Sequence, residues 1–168
     1  MKIQDIMTRD VKSCEPETTL AAATEILRRN HCGILPVVDS HGKLAGVITD
    51  RDICLALSAK NVRPSALTVG DVAVKPVVRC GPGDEVHTAL GFMRVHQIRR
   101  IPVTAEDDGL VGILSLDDIA LHAETAPATG GICYDDVGET LKAICAHRAQ
   151  EAPATRPTAA GSGGRVRR

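Results

Sequence analysis

The chain has almost no aromatic residues: tryptophan is absent, and Phe92 and Tyr134 are the only aromatic side chains. Proteins that bind single-stranded nucleic acid stack bases on aromatic rings, so this lack disfavours that class of function. The hydrophobic core must instead be built from Val, Ile, Leu and Ala. At 168 residues, with 43% hydrophobic and 24% charged residues, the composition is typical of one globular domain or of two small ones that share a core.

Long apolar runs are also missing. The N-terminus, MKIQDIMTRD, lacks the hydrophobic stretch of a signal peptide, and no segment approaches the ~20 apolar residues of a membrane span. We therefore expect a cytoplasmic protein without a membrane partner. The segment 151–168 has four arginines and one glutamate, a net charge of +3, which leaves −4 for the rest of the chain. That charge does not suggest a nucleic-acid partner.

The six cysteines and six histidines lack the spacing of metal ligands. They form no CxxC pair and no HxxxH pair, and structural zinc ligands usually come in such close pairs. We expect reduced thiols that mostly pack as small apolar residues. No P-loop or Ser/His/Asp order is recognisable either. The sequence therefore predicts no metal, no resident cofactor and no catalytic residue, which argues against an enzyme.

The chain contains an internal repeat. When it is shifted by 66 positions, residues 5–57 share 13 identities in 53 positions with residues 71–123, without a gap, where ordinary residue usage would give roughly three or four. A unit of this size buries too little surface to be comfortable alone. We therefore expect the two copies to pack on each other.

Each copy predicts the element order β-α-β-β-α, so the chain mixes helices with short strands. The predicted elements of the first copy are an extended piece Val11–Cys14, a helix capped by Thr18 with Leu20, Ala23, Ile26 and Leu27 on one stripe, strands Ile34–Val38 and Lys43–Ile48, and a helix near Asp50. Those of the second are Val77–Cys80, a helix capped by Asp84 with Val86, Ala89, Leu90 and Met93 on one stripe, strands Ile101–Thr104 and Leu110–Leu114, and a helix near Leu116.

A further helix is predicted over Val137–His147, with Val137, Leu141, Ile144 and Cys145 forming its apolar stripe. What this stripe packs against, its own module or a neighbouring one, is left open. Beyond it, a segment rich in Pro, Gly, Ala and Thr predicts a disordered basic tail. We place the first repeat at residues 1–66, the second at 67–124, a C-terminal helical extension at 125–150 and the tail at 151–168.

One phrase recurs where a strand gives way to a helix: GVITDRD at residues 46–52 and GILSLDD at residues 112–118. The hydroxyl and the acidic residue three positions later are the components of a capping box. A second reading is a pair of ligand sites. A helix N-terminus attracts phosphate, a hydroxyl adds a hydrogen bond, and a carboxylate can accept bonds from a ribose diol. Gly46 and Gly112 would let a ligand or the other copy approach the strand. The two readings are compatible.

The residues that carry these features resemble a tandem pair of cystathionine-β-synthase (CBS) domains, called a Bateman module, of the stand-alone bacterial type. The similar segments are DIMTRDVKSCEPETTL, GILPVVDSHGKLAGVITDRDI and RRIPVTAEDDGLVGILSLDDI, within residues 1–123. The resemblance implies an α/β (α+β) fold in which two repeats pack by pseudo-twofold symmetry. It also implies two clefts between the repeats that bind adenosine-containing ligands.

The resemblance assigns residues to each cleft. One would contain Thr49, Arg51 and Asp52, with Val77 and Ile98 of the second repeat facing the adenine. The other would contain Ile113, Ser115 and Asp118, with Val11 and Cys32 of the first repeat. Arg99 and Arg100 would form a phosphate clamp there or, alternatively, an exposed strand edge. The first repeat has Gly33 and Ile34 at the positions of these arginines. We therefore expect unequal clefts, with the Asp118 cleft better suited to polyphosphate.

The resemblance implies a regulatory, ligand-sensing module. It would bind AMP, ADP or ATP, with NAD and S-adenosylmethionine as further candidates. It would signal to an unknown regulated protein or through its own assembly, for which a homodimer is the first expectation. An alternative is an interaction or oligomerisation module whose clefts no longer bind ligand.

Overall fold

The structure, a computed structural model, describes the backbone of residues 1–150 and the side chains of residues 1–146. It confirms a mixed helix and strand fold with two repeats and a C-terminal helix, while the predicted tail, 151–168, lies outside the described residues. The elements are α1 (Ile3–Ile6), α2 (Leu20–Arg29), β1 (Ile34–Val38), β2 (Leu44–Thr49), α3 (Asp50–Lys60), α4 (Val86–His96), β3 (Arg100–Thr104), β4 (Leu110–Ser115), α5 (Leu116–Leu121) and α6 (Tyr134–Gln150). Short 3₁₀ turns at Pro64–Ala66 and Val69–Asp71 join the repeats.

Each repeat contains one antiparallel strand pair. Strands β1 and β2 form the first and β3 and β4 form the second. Both pairs have a register shift at the same place, after Val37 in the first and after Val103 in the second. These two valines are 66 positions apart, so even the irregularity of the sheet belongs to the repeat.

The predicted extended pieces are shorter than expected. Each makes a single parallel bridge to its own repeat, at the last residue of the predicted piece: Cys14 to Val37 and Cys80 to Val103.

Helices α2 and α4 each begin one residue later than predicted. Thr19 and Glu85 are their N-caps, because Thr18 and Asp84 are engaged in the preceding turns. The Thr18 hydroxyl accepts a bond from the Glu15 amide (3.1 Å) and the Asp84 carboxylate accepts one from the Gly81 amide (2.8 Å).

The start of each repeat packs into the core of the other. Ile3, Ile6 and Met7 are buried in the core of the second repeat. Val69, the counterpart of Ile3, is buried in the core of the first repeat, and Leu67, Val72 and Ala73 pack against it. The backbone follows the same exchange, since Thr8 bridges Ile113 and Val74 bridges Val47. Neither core is complete without a segment from the other repeat.

Gly46 and Gly112 make room for these crossing segments. A Cβ atom at Gly112 would lie 2.7 Å from Met7 Sδ and 3.0 Å from the Thr8 carbonyl oxygen, and one at Gly46 would lie 3.3 Å from Ala73 Cβ. Contacts of 2.7 Å are too short for carbon and sulfur, so a larger residue at Gly112 would displace the segment. The sequence left open whether a ligand or the other copy approaches the strand at these glycines. In the structure, the other copy lies against both.

The two repeats meet around a pseudo-twofold axis. Lys43 bridges Gly109, which is its own repeat counterpart. On either side, the Leu44 amide donates to the Asp108 carbonyl (3.0 Å) and the Leu110 amide donates to the Gly42 carbonyl (3.2 Å). These bonds exchange when the repeats are exchanged, which is the signature of an isologous contact.

Helix α6 covers its own second repeat. Val137 and Ile144 pack on that repeat's core, and Thr140 is fully buried. The predicted stripe was wrong at Leu141, which is 46% exposed, and at Cys145, which is also exposed. The helix begins at Tyr134, before the predicted Val137, because Cys133 and Asp136 cap it: the Cys133 amide and thiol both donate to the Asp136 carboxylate (3.0 Å each).

The exchange of leading segments predicts where a mutation in α1 will act. We expect Ile3→Ala to lower the free energy of unfolding by about 2–5 kcal/mol, because Ile3 is fully buried. In hydrogen exchange, β3 and β4 of the second repeat should lose protection before β1 and β2. Val69→Ala should show the reverse order. Val95→Ala, at a position that is 76% exposed, is the control and should change stability by less than about 0.5 kcal/mol. Loss of protection first in β1 and β2 with Ile3→Ala would contradict the exchange.

Candidate functional site

The two recurring phrases form the same capping box. At the start of α3, the Asp52 amide donates to the Thr49 hydroxyl (3.2 Å), and the Asp52 carboxylate accepts from the Thr49 amide (2.9 Å) and hydroxyl (2.7 Å). At the start of α5, Ser115 and Asp118 repeat these bonds at 3.1, 2.8 and 2.6 Å. In each box both bonds to the carboxylate fall on Oδ2. The capping interpretation is therefore correct for both phrases, and it leaves Oδ1 as the atom that a ligand hydroxyl would address.

A cavity of about 400 Å³ lies between the two repeats, beside the second box. Its volume is within the roughly 300–1,000 Å³ usual for small-molecule sites. Both repeats contribute residues to its wall, so neither repeat alone contains the site. The lining residues are Thr8, Asp10, Val11, Lys12, Asn30, His31, Cys32, Ile34, Arg100, Ile113, Ser115 and Asp118.

Six of the residues predicted for the Asp118 cleft line this cavity. Ser115 and Asp118 come from the start of α5 and Ile113 from β4, while Arg100 begins β3. The two remaining residues belong to the first repeat. They are Val11 and Cys32.

Arg99, by contrast, is exposed and is not part of the cavity wall. Along a strand, neighbouring side chains point to opposite faces, so two adjacent arginines at its start do not both face one cavity. The phosphate clamp predicted from the pair is reduced here to Arg100.

The guanidinium of Arg100 reaches across to the first repeat. A Cβ atom at Gly33 would lie 3.8 Å from Arg100 Nη1 and 3.4 Å from Asp50 Oδ2. Gly33 is the counterpart of Arg99, so the two repeats differ at this point in a useful way. Both distances are ordinary van der Waals contacts, so Arg100 lies beside Gly33 without overlapping a Cβ atom there.

The sequence did not identify several polar residues of the wall. Asp10 and Lys12 flank the predicted Val11, and Lys12 Nζ lies 2.8 Å from Asp10 Oδ1. Asn30 and His31 immediately precede the predicted Cys32. The sequence feature that could have identified these four residues is that they are neighbours of the predicted Val11 and Cys32. Lys12 and Arg100 are balanced by Asp10 and Asp118, so the fixed charges of the wall sum to about zero.

The residues predicted for the Asp52 cleft are arranged differently. Thr49 and Asp52 are half-buried in their box, Arg51 is exposed, and Val77 and Ile98 are half-buried. None of these five lines the cavity between the repeats or a second cavity, of about 580 Å³, between α2 and α3. The structure therefore brings most of the residues predicted for the Asp118 cleft together around one cavity. The residues predicted for the Asp52 cleft line neither of these two cavities.

The buried cysteines have little nucleophilic character. Burial raises the pKa of the Cys14 thiol to about 11, and burial, assisted by the charge of Asp84, raises the pKa of Cys80 to about 11. Both thiols remain protonated at neutral pH. They fill space beneath β1 and β3.

Two further searches cover the described part of the chain. Within it, no cluster of three or more His, Cys, Asp or Glu side chains is placed to hold a metal ion. No helix there combines the length and the apolar character needed to cross a membrane.

Comparison with known families finds one match, and it occurs twice. The model of the CBS domain matches residues 3–59 and again residues 69–124. The chain is 33% identical over 128 residues to the CBS domain-containing protein YhcV of Bacillus subtilis, an alignment that covers 76% of this chain and 89% of that protein.

Three solved structures are similar in fold. A Hypoxic Response Protein I structure with two coordinated zinc ions has a TM-score of 0.68 and 33% identity, covering 74% of this chain and all of that one. The CBS domain pair of protein MJ0100, in complex with 5′-methylthioadenosine and S-adenosyl-L-methionine, has a TM-score of 0.66 and 26% identity (72% and 94% covered). CBSX2 in complex with AMP has a TM-score of 0.63 and 27% identity (70% and 91% covered).

The geometry of the boxes predicts that their hydroxyls stabilise the fold equally. We expect Thr49→Ala and Ser115→Ala each to lower the free energy of unfolding by about 1 kcal/mol in urea denaturation, because each removes the acceptor for a helix amide. Ser65→Ala, at an exposed position in a 3₁₀ turn, serves as the control and should leave stability unchanged. A cost confined to one of the two boxes would show that they are not equivalent caps.

Proposed function

Since this chain belongs to the CBS domain family, we propose that it is a regulatory module that binds an adenosine-containing ligand between its two repeats. The observation that carries the proposal is the cavity of about 400 Å³ beside Ser115 and Asp118, lined by six residues predicted for that cleft. The neighbours that hold AMP, or 5′-methylthioadenosine and S-adenosylmethionine, support the same class of ligand.

Each part of the wall has a role in this proposal. The Asp118 carboxylate, through Oδ1, accepts the ribose hydroxyls, and Arg100 bonds the phosphate. Val11, Cys32 and Ile113 provide apolar surface for the adenine, whose ring would otherwise have no stacking partner in a chain with so few aromatics. The Ser115 hydroxyl donates to Asp118, so it can donate to the ligand only in exchange for that bond.

The charge of the wall disfavours a highly charged anion, which argues against the expectation that this cleft suits polyphosphate. With Lys12 and Arg100 balanced by Asp10 and Asp118, there is no surplus of positive charge for a triphosphate, and Lys12 is already paired with Asp10. AMP is therefore the expected ligand ahead of ADP and ATP. NAD and S-adenosylmethionine remain candidates with the same adenosine part.

Transmission follows from the position of the ligand. The site is formed by both repeats, so occupancy favours one arrangement of the repeats over others. A ligand shifts such an equilibrium by its differential affinity for the two arrangements. The regulated protein, or a homodimer of this chain, would respond to that change.

Direct titration tests the proposal. We expect AMP to bind the purified protein in isothermal titration calorimetry, and to bind more tightly than ATP. ADP, NAD and S-adenosylmethionine complete the series. Absence of heat with all five compounds, in a sample shown by absorbance at 260 nm to carry no nucleotide already, would be evidence against ligand sensing.

A matched pair of variants assigns the site. Asp118→Ala and Asp52→Ala each remove the same capping carboxylate, so each should cost about 1 kcal/mol of stability without ligand. AMP at about 100 times its dissociation constant should stabilise the wild type by about 2.7 kcal/mol. We expect Asp52→Ala to keep this increment in thermal unfolding and Asp118→Ala to lose it. Loss in Asp52→Ala alone would place the ligand in the other cleft.

One observation favours the alternative, an interaction module without a ligand. Both boxes are complete as helix caps, with Thr49 and Ser115 bonded within their own phrase. If AMP adds no stability to the wild type, the caps alone explain why the phrase occurs twice. Sedimentation equilibrium then tests whether the chain forms the predicted homodimer. In that case oligomerisation would be the principal function.

A further inference from the structure

One pair of charges on the wall of the cavity between the repeats lies apart from the contacts that hold the fold together. Asp10 and Lys12 both line the cavity, and Lys12 Nζ lies 2.8 Å from Asp10 Oδ1. The Asp10 side chain is 88% exposed and the Lys12 side chain 47% exposed. Within the described part of the chain, neither side chain has another hydrogen-bond or ion-pair partner. Either residue can therefore be replaced without removing a contact of the core.

The other carboxylate of the wall, Asp118, is engaged differently. Its Oδ2 accepts from the Ser115 amide (2.8 Å) and hydroxyl (2.6 Å) at the start of α5, where the helix N-terminus favours a negative charge. Asp118 thus stabilises the fold whether or not a ligand is present. Asp10 is the carboxylate of the wall whose charge neither caps a helix nor joins the repeats.

The charge pair belongs to one repeat only. The counterparts of Asp10 and Lys12 in the second repeat are Pro76 and Val78, which carry no charge. The residue between the two is valine in both repeats, at positions 11 and 77. The fold of a repeat therefore does not require the pair, and its place on a cavity wall directs attention to the molecule that the cavity binds.

The pair controls how much positive charge the wall offers to phosphate. Arg100 and Lys12 are the arginine and the lysine of the wall, and Asp10 holds Lys12. The planar guanidinium of Arg100 suits the oxygens of one phosphate group. A second phosphate would need Lys12, and it would bring further negative charge towards the Asp10 carboxylate, which repels it.

We propose that Asp10 is a specificity-determining residue that restricts the ligand of this cavity to an adenosine monophosphate. It acts by holding Lys12 and by repelling any further phosphate group, so it is an element directed against the competing ligands. This inference rests on the proposed function, because it concerns the same cavity. When the Asp10 carboxylate is neutralised, Lys12 is free to bind a second phosphate, and the cavity accepts ADP and ATP.

Isothermal titration calorimetry of Asp10→Asn tests the proposal on the full chain. The amide keeps the size of the carboxylate and removes its charge. AMP, ADP and ATP are titrated without divalent cations. We expect the affinity for AMP to rise at most about threefold and the affinity for ATP about tenfold or more, with ADP between them, because the gain grows with the charge of the ligand. The gain should shrink as salt is added, since the pair is exposed to solvent.

Two further variants separate the causes. In the double variant Asp10→Asn, Lys12→Met, the affinity for ATP should return to within about threefold of wild type, because the ammonium that binds the added phosphate is gone. Glu17→Gln removes the same charge at an exposed position outside the cavity wall. As the control for net charge, it should leave all three affinities within about twofold of wild type. A double variant that keeps the whole gain would contradict the role of Lys12.

The outcomes for Asp10 and for the proposed function are distinct. If the wild type binds AMP and Asp10→Asn leaves the ratio of ATP to AMP affinity unchanged, Asp10 does not determine specificity and the proposed function stands. If neither protein binds any of the three nucleotides, the proposed function fails and this inference fails with it. A third result also overturns the role of Asp10. It is tighter binding of ATP by the wild type when Mg²⁺ is added, without such an effect in Asp10→Asn, because Asp10 would then be a metal ligand that favours the polyphosphate.

Discussion

The exchange of leading segments is the interaction on which the rest of this structure depends. Ile3 and its counterpart Val69 are each fully buried in the core of the opposite repeat. A unit of about 60 residues buries too little of its own surface to be stable, and this exchange makes each core depend on a segment of the other repeat. Gly112 is required for it, because a side chain there would overlap Met7.

The same exchange creates the candidate site. Residues 8–12 continue from the crossing segment into the wall of the cavity, where they meet β4 and the start of α5 from the other repeat. The site therefore exists only while the repeats are docked. A molecule bound there would stabilise the docked arrangement, and this is the physical basis of the proposed ligand sensing.

Symmetry in the backbone coexists with asymmetry in the side chains. The capping boxes, the strand register and the contacts at Lys43 and Gly109 obey the pseudo-twofold axis. The counterparts Gly33 and Arg99 break this symmetry, because they differ in size and charge. Helix α6 also breaks it, because it packs on α4 and α5 of the second repeat and not on α2 and α3 of the first. One module thereby contains one polar cavity between the repeats and one mostly apolar cavity between α2 and α3.

The sequence by itself determined the repeat, the two strands and two helices that follow each proline turn, the apolar stripes of α2 and α4, and the two capping boxes, because these depend on residues within a few positions of one another. Through resemblance to a family, the sequence also predicted six residues that line the cavity between the repeats: Val11, Cys32, Arg100, Ile113, Ser115 and Asp118. Only the tertiary structure decided which repeat each leading segment completes, that Arg100 and not Arg99 reaches the cavity, and that α6 covers the second repeat and not the first. These outcomes depend on contacts between residues far apart in the chain, which no local pattern of apolar and polar residues specifies.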